Sequence, residues 1–176
     1  MNSSITVAEA LAVRSAISRR ISQLSHEREL NSMSVIEKGE VAEYPSRTVD
    51  MITSELNRVM ADFRRLDLLI AISNTTTVIQ WNNGELKVLE AIELAKQTRN
   101  ESAYLSQLGS RKKLERQLNR GTADGGKSLF TVALYDPEAY MELAKKKERE
   151  ATKLSSLIEQ SNHLNHVDFD ATEYTG

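Results

Sequence analysis

A mainly α fold, an elongated helical bundle or coiled-coil hairpin with one or two short β-strands, is what the 176-residue sequence predicts. Three observations lead there. Val49, Ile52, Leu56, Val59, Phe63, Leu66 and Ile70 recur at alternating three- and four-residue steps. That spacing averages ~3.5 and sets all of them on one narrow helical stripe. Aromatic residues make up only 5%, and the only prolines are Pro45 and Pro137, a composition that suits long helices better than a sheet sandwich. Cysteine is absent, so neither disulfides nor thiolate zinc sites organise the chain. The length fits a single helical domain spanning 1–176 with a core of its own.

The first helix, about 7–31, starts after Thr6 as N-cap, with Glu9 at capping-box spacing. Its apolar side carries Ala10, Val13, Ile17, Ile21 and Leu24, and Arg14 and Arg28 fall inside the same stripe. Those arginines either pack their aliphatic stems and pair with carboxylates, or line a polar pocket or subunit interface. Residues 35–45, with Gly39, read as an ordered loop. The second helix, about 47–73, is capped by Ser46 or Thr48. Met60, Leu68, Leu69 and Ile72 widen its apolar face toward the end, which implies more than one packing partner. Ser73 to Thr77 is expected to break it, since consecutive threonines are poor helix formers.

A short strand is expected at about 76–81, followed by an Asn82-Asn83-Gly84 turn. A third helix, about 85–118, bears Val88, Leu89, Ile92 and Ala95. From Arg111 to Lys127 six basic residues face two acidic ones, among glycines at 121, 125 and 126. Residues 129–135 alternate as a second short strand. Asp136-Pro137 then opens the last helix, about 137–164. The acidic tail, 167–176, is expected to be loosely held.

The net charge is −2, so no global imbalance points to nucleic acid. The longest apolar stretch, Leu66 to Ile72, is interrupted by Asp67 and falls far short of the ~20 residues that span a bilayer. With no signal peptide evident and no cysteine, a cytoplasmic location is expected, and a membrane partner is not.

Ala8, Glu9, Ala10, Leu11, Arg14, Ile17, Arg20, Ile21, Leu24, Arg28 and Asn31, then Glu37, Gly39, Glu40 and Pro45, and finally Asn74, Thr77, Gly84 and Leu86 follow one another in a distinctive order. In that order the first 108 residues resemble the septicolysin-like family of small bacterial helical proteins. Ala71 stands where that family carries an earlier asparagine, Ser73 where it has threonine, and Asn82 or Asn83 where its turn is acidic. The resemblance implies an elongated α-helical fold that self-associates.

Gly121 to Ser128 matches the phosphate-loop pattern G-x-x-x-x-G-K-[ST]. That chemistry needs a buried strand before the loop and a helix after it. Here a polar, basic stretch precedes and a strand-like stretch comes after, so nucleotide hydrolysis is not expected. A basic anion site remains a reading, with Arg14, Arg28, Asn74, Arg116, Arg120 and Lys127 as candidate ligand-binding residues. His163, His166, Asp168 and Asp170 have metal-ligand spacing but read better as a polar helix end. Glu90 with Glu93, and Glu27 with Glu55 across helices, are the carboxylate pairs that could meet. No catalytic residue, metal or cofactor is assigned. The expectation is a non-enzymatic, self-assembling helical protein acting through homo-oligomerisation and partner binding. The alternative is a binder of a phosphorylated small molecule or nucleotide at a basic subunit interface.

Overall fold

The computed structural model describes residues 4–82, 84–117 and 129–175. In chain order the elements are β1 (Ser4–Thr6), α1 (Val7–Leu30), α2 (Val49–Thr76), β2 (Val78–Trp81), β3 (Gly84–Lys87), α3 (Val88–Gly109), β4 (Leu114–Arg116), β5 (Phe130–Val132), α4 (Pro137–Leu164) and β6 (His166–Asp168). The fold is mainly α, as predicted. Among the described residues the strands form three two-stranded ribbons, β1–β6, β2–β3 and β4–β5, more strand than the expected one or two. The chain divides into two compact units: Met1–Val78 with Glu159–Gly176, and Ile79–Ile158.

In the first unit α1 begins where the sequence says it should. The Glu9 amide donates to the Thr6 hydroxyl at 3.1 Å, and the Thr6 amide donates to the Glu9 carboxylate at 2.7 Å. The box closes from both sides, and the Thr6 amide bond holds the Glu9 carboxyl below its ordinary range. The buried side of α1 is Val7, Ala10, Val13, Ile17 and Leu24. Against it lie Ile52, Leu56, Val59, Leu66 and Ile70 of the α2 stripe, with Phe63 partly buried beside them. The stripe is therefore covered within the chain. Its cover comes from α1 and the C-terminal segment.

Thr48, rather than Ser46, caps α2, accepting from the Met51 amide at 3.3 Å. The expected break at Ser73 does not occur, and the helix continues through Thr76. The hydroxyls of Thr75 and Thr76 donate back to the carbonyls of Ala71, Ile72 and Ser73, so the threonines satisfy their polar groups without unwinding it.

The C-terminal segment is another correction. It is ordered, not loose. β6 pairs antiparallel with β1 in the register Ser4↔Asp168, Ile5↔Val167, Thr6↔His166. Val167, Phe169 and Ala171 then enter the core of the first unit. Their alternation places apolar groups inward and leaves the intervening acids to solvent or to partners.

In the second unit α3 starts later than expected because Gly84–Lys87 pairs with β2 as a strand. Asn82 turns this hairpin with φ 53°, a left-handed conformation that asparagine tolerates. The helix also stops at Gly109, well short of residue 118. Ser110 turns the chain, its hydroxyl donating to the Gln107 carbonyl, and residues beyond it extend into β4. The seam between α3 and α4 is made of small residues. Ala91 and Ala95 are buried with Leu154, and the Ser102 hydroxyl donates to the Ala144 carbonyl at 2.9 Å. Asp136 accepts from the Glu138 amide at 3.1 Å and so caps α4 as the sequence predicts.

Candidate functional site

The sequence-predicted ligand residues do not form one constellation. Arg14 is engaged: its guanidinium lies 2.8 Å from the Asp67 carboxylate and 5.7 Å above the Phe63 ring. Arg28 sits in the last turn of α1, where a cation complements the helix dipole. It lies roughly 21 Å along the helix from Arg14 at 1.5 Å per residue. Asn74 is half-buried in the last turn of α2, beside the hydroxyls that bond back to the helix. Arg116 ends β4 and is opposite Phe130 in the β4–β5 register. Arg120 and Lys127, with the whole phosphate-loop pattern at 121–128, lie outside the described residues. On the C-terminal side of the pattern the chain forms strand β5, not the helix that phosphate binding needs.

Of the carboxylate pairs, Glu27 and Glu55 do come together, but as an ion network. Arg47 bridges them, donating to Glu27 at 3.0 Å and to Glu55, and Arg20 donates to Glu55 as well. Cations answer both charges, which removes the asymmetry an acid–base pair requires. Glu90 stays exposed, and Glu93 is occupied by Lys96 and Gln97 on its own helix. Among the described residues no three His, Cys, Asp or Glu side chains gather as a metal site.

The network has a different consequence. It anchors the segment between α1 and α2. Arg47 ties the end of that segment to both helices, and the Asn31 side-chain amide donates to the Arg47 carbonyl at 3.0 Å. At the far end the Glu40 amide donates to the Glu37 carbonyl, and the Glu37 amide donates to the Glu40 carboxylate, both at 3.1 Å. Gly39 completes this turn with φ +103°, a conformation that side chains rarely adopt.

Between these anchors large apolar side chains face solvent. Val35, Val41, Met33 and Tyr44 are all at least 87% exposed, and Leu30 and Ile36 about half to two-thirds. A hollow of about 510 Å³ opens between the legs, lined by Leu30 to Ser34 and Ala42 to Pro45. Glu37, Lys38, Glu40 and Glu43, all exposed, are interspersed with them along the segment. Exposed large apolar groups set among charged ones are the mark of an interaction surface. The sequence carried a signal for it: Val35, Ile36, Val41 and Tyr44 lie where helical periodicity has stopped, so no helix face accounts for them.

No helix among the described residues is long and apolar enough to cross a membrane. No protein-family model and no curated protein matches the chain. A crystal structure of a functionally unknown conserved protein from Corynebacterium diphtheriae is similar to it, with a TM-score of 0.68 at 20% identity. The match covers 94% of this chain and 99% of that one, and it establishes a shared fold.

Proposed function

We propose that this chain is a non-enzymatic helical protein that works by self-association, with the loop at 30–44 as its contact surface. The observation behind the proposal is the exposure of Met33, Val35, Val41 and Tyr44 on a segment whose ends are pinned. A pinned loop loses little conformational freedom on docking, which lowers the cost of binding.

Magnitudes favour a symmetric contact. Covering a large apolar side chain contributes ~1.5–3 kcal/mol, and association costs ~4–15 kcal/mol in lost freedom. Four such side chains against a polar partner are marginal. The same four from each of two copies, as a two-fold contact presents them, exceed most of that cost. The reading extends the septicolysin-like resemblance, which implies self-association. It takes the cytoplasm as its setting on the strength of the cysteine-free sequence.

Hydrogen exchange at high and low micromolar concentration tests the surface directly. Amides of residues 33–44 exchange more slowly in the concentrated sample if the loop is the contact. Protection that does not depend on concentration counts against it.

A further inference from the structure

The β4–β5 ribbon leaves α3 at Ser110 and returns to α4 at Asp136, and its base is tied to both helices. The Tyr135 hydroxyl donates to the Leu108 carbonyl at 3.0 Å, and the Tyr135 ring packs on Tyr140 with centroids 4.9 Å apart. Beside this base lies a groove of about 650 Å³. That is within the ~300–1,000 Å³ range of small-molecule sites. Val132, Ala133, Leu134 and Tyr135 form its apolar length, and Arg111 and Lys112 stand at one side. Val132 is about half exposed and Leu134 almost wholly so. Among the described residues, Val132 and Leu134 leave this apolar length open.

The cations at the groove are not consumed by the fold. The carbonyls ending α3 already have partners: Ser106 takes the Ser110 amide, Gln107 the Ser110 hydroxyl, and Leu108 both the Arg111 amide and Tyr135. Lys113 donates to the Tyr135 carbonyl. Lys112 meets Glu115, the acidic group of the groove, only loosely at 3.5 Å. Arg111 makes no ion pair among the described residues. An apolar trough with a free guanidinium beside it complements one kind of occupant.

We infer that this groove binds a small amphipathic anion, an acyl or alkyl chain ending in a carboxylate or phosphate. The chain lies along Val132, Ala133 and Leu134, and the anionic oxygens meet Arg111 and Lys112. Guanidinium pairs well with either head group, so the shared chemistry is a compact oxyanion on an apolar tail.

Calorimetric titration with decanoate, decyl phosphate, decanol and inorganic phosphate, below micelle-forming concentrations, tests this. One-to-one saturable binding of decanoate or decyl phosphate is expected, and which of the two binds tighter identifies the head group. Arg111→Gln and Leu134→Ser each weaken it about tenfold, through loss of a charged contact and of apolar cover. Lys96→Gln, an exposed charge change elsewhere on α3, leaves it unchanged. Both groove positions are exposed, so the variants keep the wild-type circular dichroism spectrum. Decanol binding as tightly as decanoate overturns the inference. So does inorganic phosphate matching decyl phosphate, an undiminished affinity in Arg111→Gln, or no saturable binding of either amphiphile.

Discussion

Arg58 holds both oxygens of the Glu173 carboxylate through its two terminal nitrogens, clamping the C-terminal segment onto α2 from 115 residues away in sequence. The clamp is half exposed on both sides, so its value is modest despite the forked geometry. The hydrogen bond from Arg58 keeps the Glu173 carboxyl below its ordinary value of 4.5, and the Arg58 guanidinium is correspondingly harder to deprotonate. A carboxyl with a lowered folded pKa contributes stability that is complete above the ordinary value and fades as pH falls through the lowered one. Glu173→Gln should therefore cost ~0.2–1 kcal/mol in urea unfolding at neutral pH. The difference from wild type should disappear in strong acid.

Next to the clamp, the Tyr174 hydroxyl donates to the Asp62 carboxylate at 2.6 Å. Burial first, and then this bond, push the phenol well above its ordinary value of 10.0. The sign is opposite to that of Glu173. The contribution is complete below the ordinary value and is lost as pH rises through the folded one. Ultraviolet titration should show a late-ionising phenol in the wild type that is missing from Tyr174→Phe. The variant should lose ~1–3 kcal/mol at neutral pH, since the bond removed has a charged acceptor.

Val59 is wholly buried in the core shared by α1, α2 and the C-terminal segment. Val59→Asp puts an unpaired carboxylate there, at a cost of ~4 kcal/mol or more. The drop in melting temperature relative to wild type should be the same in dilute and concentrated samples, because the core around Val59 is built from its own chain. A drop that changes with concentration would place the stripe at a subunit contact.

Gly109→Ala sets two effects against each other. Alanine favours a helix over glycine by ~1 kcal/mol. A Cβ at this position, however, would meet the Met141 amide nitrogen at 2.7 Å and its Cα and Cβ at 2.8 Å. Backbone atoms cannot step aside as a flexible side chain can, so α3 and α4 have to separate. Overpacking of this kind costs ~1–3 kcal/mol, and the net effect measured by thermal unfolding should be destabilising.

The elements that local rules control were legible. Thr6 with Glu9 announces α1, Asp136 with Pro137 announces α4, and the Val49–Ile70 stripe fixes the buried face of α2. The cover over that face was not legible. A period of ~3.5 says that a helix side is dry, not whose atoms dry it. The alternation Val167, Phe169, Ala171 was hidden by Asp168 and Asp170 between them, whose charge reads as a solvated tail. The α3–α4 seam escaped for another reason. Ala91, Ala95, Ser102 and Ala144 carry little hydrophobic signal, and small side chains matter there because they let two backbones approach. The candidate contact loop was visible only as apolar residues without a period.

Self-association through the 30–44 loop is open to a direct check by static light scattering. The wild type is compared with Val35→Ser/Val41→Ser/Tyr44→Ser at matched micromolar concentration. The expected wild-type mass is a whole multiple of the 19.8 kDa chain, and the expected variant mass is 19.8 kDa, with equal helicity. A wild-type mass of 19.8 kDa throughout that range, or an assembly that survives in the variant, would contradict a loop-mediated contact.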